Sequence, residues 1–191
     1  MPRPSLAKVR KPQILDAYAR SLHKFGPEGA TLDRIAEEAG VTRALVRHYL
    51  GNREEVDRAL VGHLRERYVS WFLGIGAGLS PAERLPLRLE ALFQEATPDA
   101  PARVVDSLLG ATGEDAVLRG LLREMYLELE HILDAELAAA YPDSDPTARR
   151  RVAYAILCLA GMNRSLVELG FPADRPDAAR KVAEQLVDSL A

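Results

Sequence analysis

The residues of this chain best suited to chemistry fall between Thr42 and Arg53: Thr42, Arg43, Ala44, Leu45, Arg47, His48, Tyr49 and Arg53. At helical spacing Val46, Tyr49 and Leu50 share one face, while Arg43, Ala44, Arg47 and His48 share the other, with Leu45 near the boundary. The chemistry of that second face is hydrogen-bond donation to a polyanion. Arginine can fork onto guanine O6 and N7, and a small neighbour such as Ala44 lets a helix enter a DNA major groove. A merely solvated face would use the same residue types. The elements that hold these residues must decide between the two.

Those elements are legible from their punctuation. A helix is expected from Pro12, with Ile14, Leu15, Tyr18, Leu22 and Phe25 as its apolar stripe and Gly26, Pro27 and Gly29 at its end. Thr31 can cap a second helix whose inward residues are Leu32, Ile35, Ala36 and Ala39, with Glu37 and Glu38 outside. Gly40 suits the turn that follows, Val41 plugs it, and Thr42 caps a third helix to about Leu50. Two short capped helices joined by a glycine-bearing turn describe a helix-turn-helix over about 32–50. Charge agrees: residues 1–53 carry a net of +5 and residues 68–191 a net of -7, within a chain total of -3. A basic head on an acidic body suits a head that meets nucleic acid.

The stretch TLDRIAEEAGVTRALVRHYLGNREEV resembles the DNA-binding signature of the TetR family of bacterial transcriptional regulators. The resemblance implies that Arg43, Ala44, Leu45 and Arg47 meet base edges. It also implies that Thr42, His48, Tyr49 and Arg53 hold phosphates, with Thr31 helping through its helix N-terminus. The sequence departs from the family pattern at Ala44, where glycine is usual, at Arg47, where tyrosine is usual, and at Leu50, where phenylalanine is usual. The implied fold is all-α, with a three-helix head (1–53) followed by a helical effector-binding and dimerisation domain (54–191). The implied partners are double-stranded operator DNA, a second copy joined through the last two helices (146–190), and a small-molecule effector of unidentified chemistry. Trp71, Phe72, Phe93, Met125, Tyr126, Met162 and Asn163 are candidates to line the effector pocket, though each residue type also serves as plain core. Repression through a palindromic operator, released by ligand, is the implied function.

Beyond the head, a linking helix is expected over 54–73, with Val56, Leu60, Leu64, Tyr68, Trp71 and Phe72 at helical spacing. Gly74, Gly76 and Gly78 read as a flexible connector, because no strand precedes them and no Lys-Ser/Thr follows to make a phosphate cradle. Further helices are expected from Pro81 to about Ala96, over 102–109, and over 115–140, where Leu118, Leu121, Leu122, Met125, Leu129, Ile132, Leu133 and Leu137 align. After YPDSDP, Asp145 and Pro146 open a helix that is apolar nearly all round from Val152 to Met162, as suits burial in a core or against a partner. An amphipathic last helix carries Val182, Leu186, Val187 and Leu190.

No catalytic constellation emerges. Glu128 and His131 give one Glu-x-x-His, but a di-metal bundle needs a second copy and further glutamates, so a solvated face is the simpler reading. Cys158 is the only cysteine, which excludes an internal disulfide and any multi-cysteine zinc site; a packed thiol is expected. No cofactor, metal or membrane span is expected, and no apolar signal core follows the basic start, which places the chain in the cytoplasm. Arg3, Lys8, Arg10 and Lys11 could form an arm along DNA or a frayed terminus. An all-α enzyme with an incidental basic head, or a non-specific DNA-binding structural protein, would be the rival readings.

Overall fold

The computed structural model describes residues 6–94, 101–110, 112–113, 115–172 and 174–191. Among these residues the regular elements are helices, with no strand. In chain order they are α1 (Leu6–Gly29), α2 (Leu32–Glu38), α3 (Arg43–Leu50), α4 (Arg53–Gly74), α5 (Pro81–Phe93), α6 (Pro101–Gly110), α7 (Ala116–Ala140), α8 (Pro146–Glu168) and α9 (Arg175–Asp188). None is long and apolar enough to cross a membrane. The chain divides into two compact units, with α4 passing from the first to the second after Tyr68 and α7 after Met125.

The first unit is built on α1 to α3, most of α4, α6 and the start of α7. Ile14, Tyr18 and Leu22 of α1, Ile35 of α2, Val46 of α3 and Leu60 and Leu64 of α4 are each no more than 1% exposed, and Val104 and Leu108 of α6 are also buried. Helix α1 starts at Leu6, so Pro12 lies within it rather than at its opening. Proline removes one hydrogen bond from a helix interior. Arg10 and Lys11 are exposed helical residues, not an extended arm, and Arg3 lies outside the described residues. Gly26 takes a φ of 69° and breaks the helical path, as the Gly-Pro-x-Gly run required. The inward stripe stops at Leu22. Phe25 is 46% exposed and is covered by the Arg34 guanidinium, 4.4 Å from its ring centre.

The second unit combines the end of α4 with α5, the rest of α7, α8 and α9. Ser80 and Glu83 form a capping box that starts α5, which ends at Phe93 as Gln94 turns extended, short of the expected Ala96. The glycine run is not a loose connector. Glu136 of α7, 6% exposed, accepts from Arg84 Nε at 2.6 Å and Arg88 Nη1 at 2.6 Å. Arg88, itself 4% exposed, donates its other nitrogens to the carbonyls of Leu73 and Ile75, while Arg84 donates to that of Leu79. Carbonyls left over at the end of α4 and in the turn are thus satisfied by two arginines. At Gly76, φ 63°, an added Cβ would lie 2.7 Å from that of Arg84, so the turn also needs its missing side chain.

Helix α8 buries only one side. Val152, Ala153, Ile156 and Ala160 are inside, whereas Tyr154 and Met162 are each 61% exposed and Cys158 is exposed rather than packed. The all-round apolar character of this helix therefore reflects two different surfaces.

Glu136 is the anion that Arg84 and Arg88 share, and removing one partner of a buried ion pair leaves uncompensated charge. Glu136→Gln is expected to lower the unfolding free energy by about 3 kcal/mol, measured by urea denaturation.

Candidate nucleic-acid interface

Two threonine caps define the geometry of α3. Thr31 Oγ1 accepts from the Arg34 amide at 3.4 Å, and Thr42 Oγ1 accepts from the Leu45 amide at 3.2 Å. Between them Gly40 adopts a φ of 63°, and the Val41 amide donates to the Ala36 carbonyl at 2.9 Å, closing the turn. Helix α3 then has one orientation open to it. Val46 is fully buried and Leu50 is 7% exposed, so the opposite side must face water. Arg43, Ala44, Arg47 and His48 are exposed, while Leu45 and Tyr49 are half-buried. His48 and Tyr49 meet edge to face at 5.2 Å. The described residues offer Arg47 no hydrogen bond or ion pair, so its guanidinium is fully available.

Behind α3 the three-helix arrangement is tied together by charge. Glu38 pairs with Arg20 at 2.8 Å and Lys24 at 2.6 Å, so it faces α1 instead of lying wholly outside. The Lys24 hydrogen bond first, then that of Arg20, holds the Glu38 carboxyl below the ordinary carboxylate range. Asp16 of α1 joins α4 through His63 Nε2 at 2.9 Å and Arg67 Nη1 at 3.0 Å.

Arg53 is placed differently from a free phosphate ligand. Its Nε donates to Asp57 at 3.0 Å, its Nη1 to the Ala30 carbonyl at 2.6 Å, and its Nη2 to the Tyr18 hydroxyl and the Pro27 carbonyl. Tyr18 in turn donates to Asp57. Burial first, and then the Asp57 carboxylate, push the Tyr18 hydroxyl far above its ordinary value, which keeps it a neutral donor. These groups tie the start of α4 to α1 and to the turn before α2. Sequence spacing could not reveal this cluster, because its members are 39 and 35 residues apart along the chain.

The Bacterial regulatory proteins, tetR family profile matches residues 14–60, which covers α1 from its buried stripe to the first two turns of α4. Over the whole length, the chain is 28% identical to the HTH-type transcriptional regulator BetI of Burkholderia ambifaria, covering 98% of that relative. Residues 14–60 thus match the tetR family of bacterial regulatory proteins, and the chain is a DNA-binding transcriptional regulator. Solved TetR structures share its fold throughout: a TetR regulator from Cytophaga hutchinsonii matches with a TM-score of 0.80 at 17% identity, covering 99% of this chain and 98% of that one. One from Haloarcula marismortui matches with a TM-score of 0.78 at 20% identity, covering 96% and 98%. The helical body, for which the sequence offered only helical periodicity, is thus also TetR-like in fold.

The residues expected to line an effector pocket do not behave as one set. Phe72, Phe93, Met125 and Asn163 are buried, Tyr126 is half-buried, and Trp71 and Met162 are 44% and 61% exposed. Met162 and Asn163 share an open hollow of about 510 Å³ along α8 and the start of α9, with Leu159, Leu166 and Phe171. No group of three or more His, Cys, Asp or Glu among the described residues could hold a metal.

The internal bonds of Arg53 yield a test. Arg53→Ala is expected to lower the melting temperature of the protein while leaving the salt dependence of DNA binding unchanged. Loss of a true phosphate contact would instead reduce the slope of log K against log salt by about 1.

Proposed function

We propose that this protein is a homodimeric repressor that binds a palindromic operator and is released by a small-molecule effector. Residues 1–53 form the DNA-binding head and 54–191 the dimerisation and effector-binding body. The observation that carries the reading is the capped α3, held by Val46 and Leu50, which turns Arg43, Ala44, Arg47 and His48 outward together. Arg43, Ala44, Leu45 and Arg47 enter the major groove and meet base edges. Thr42, His48 and Tyr49 hold phosphates, and Thr31 helps through the α2 N-terminus. Arg53 sets the angle at which α4 leaves the head.

Dimerisation through α8 and α9 is supported by apolar side chains that the single chain leaves in water. Tyr154, Met162, Leu169, Phe171 and Val182 are each 45–75% exposed. Exposed apolar surface on this scale marks association sites. A two-fold dimer presents two reader helices to half-sites one helical turn apart. An effector held in the body acts through its different affinity for two arrangements of the dimer, only one of which fits the operator. Helix α4 is the element that carries the change, being one unbroken helix from Arg53 to Gly74.

Selection from random duplexes at about 150 mM salt, where non-specific binding is typically weak, is expected to enrich an inverted repeat with half-sites about 10 base pairs apart. No enrichment by a folded dimer would overturn the specific-regulator reading. On the enriched site, Arg47→Ala is expected to cost about 1–3 kcal/mol and to relax one base position per half-site. A uniform loss across all sequences would assign Arg47 to the phosphates. Met162→Asp is expected to shift the protein from dimer to monomer in sedimentation equilibrium, with its helical circular dichroism retained.

A further inference from the structure

An acidic residue is out of place beside a surface that must approach phosphates, yet Asp33 stands there. It lies in the first turn of α2, 65% exposed at its side chain, and its Oδ2 accepts from Arg43 Nη1 at 2.8 Å. Arg43 is the first residue of α3, 53% exposed at its side chain, and this is its one bond within the described chain. Helix α3 has no acidic residue in its own first turn, so a guanidinium there lies at the positive end of the helix without local compensation.

We propose that Asp33 is a specificity-determining residue: it buttresses Arg43 so that the guanidinium reads a guanine instead of swinging to a phosphate. The geometry supplies the reason. With Nη1 taken by the carboxylate, Nε and Nη2 remain as two parallel donors on the opposite edge, matching the O6 and N7 acceptors of guanine. A long arginine held at one nitrogen also loses less rotamer freedom when it binds a base. The carboxylate also repels the DNA backbone, which lowers binding to every sequence alike, so the discrimination comes from the aim of the guanidinium and not from that repulsion. Helix-dipole stabilisation alone explains an acid in the first turn of α2 but gives it no effect on base choice. The inference rests on the reading of Arg43 as a base contact, which the test examines separately.

The test uses the full-length protein and the duplex recovered by site selection, with each base pair of one half-site varied in turn. Competition binding compares wild type, Asp33→Asn, Arg43→Ala and the double variant. Arg43→Ala is expected to flatten the preference at one G·C pair. Asp33→Asn is expected to reduce the preference at that same pair about tenfold, a share of what one bidentate contact supplies, while tightening binding to random duplex. In the double variant the preference at that pair falls no further than in Arg43→Ala alone. If Asp33→Asn tightens all duplexes equally and keeps every base preference, Asp33 is only a repulsive charge and the inference is overturned. If Arg43→Ala changes no base preference, the base-reading role of Arg43 fails and the inference with it. Both residues are exposed, and unfolding curves that match wild type show that the variants read recognition rather than stability.

Discussion

Everything the head can recognise depends on the anchoring of one two-turn helix. Val46, with no exposed surface, and Leu50, one turn on, fix the rotation of α3 about its axis. The 3.6-residue period then leaves no freedom in what faces away. Rotation by one residue, about 100°, would bring Arg47 toward the core and its charge into an apolar space. The interface is thus specified by burial on the opposite side. The threonine caps fix where each helix begins, and the positive φ of Gly40 lets the chain reverse between them. Without those three constraints the outward residues would be a list with no shared direction.

The parts of the fold that sequence made legible are those governed by local rules. Thr31, Thr42 and Asp145 cap the helices they were expected to cap, and α3 divides its faces as its periodicity demanded. Misreadings arose where a remote partner overrode a local tendency. Glycines at 74, 76 and 78 are permissive residues by themselves, but Arg84 and Arg88 hold the carbonyls around them and leave the segment fixed. Pro12 favours a helix start, yet α1 extends back to Leu6. Helix α8 looked uniformly buried because an apolar residue has the same composition whether it meets its own core or stands exposed. Of the candidate interface, the outward residues were readable. Their supports, Asp33, Asp57 and Tyr18, were not, since pairing across 10 to 39 residues leaves no periodic trace.

The arginines show why charge by itself is a poor guide to such a surface. Arg88 is almost wholly buried and gives its nitrogens to Glu136 and two carbonyls, so its donors serve the architecture. Arg53 is 41% exposed at its side chain, but its donors are directed to Asp57, Ala30, Pro27 and Tyr18. Arg43 keeps one nitrogen on Asp33, and among the described residues nothing holds Arg47. Graded this way, the four residues form a series from structural clamp to open guanidinium. What separates them is the number of donors already satisfied before DNA arrives.

That series also bears on how affinity and discrimination can be set apart. A free arginine such as Arg47 gains from any phosphate or base it reaches, and it must give up rotamer freedom to do so. A buttressed one such as Arg43 has given up part of that freedom in the unbound protein. Its attraction to the backbone is partly cancelled by the neighbouring carboxylate. Under the proposed reading both meet base edges, the second with its donors already aimed and the first ordered only by the base it reaches. On that reading, placing both on one face, four residues apart, lets a small head combine a base contact aimed before binding with one that is ordered on binding.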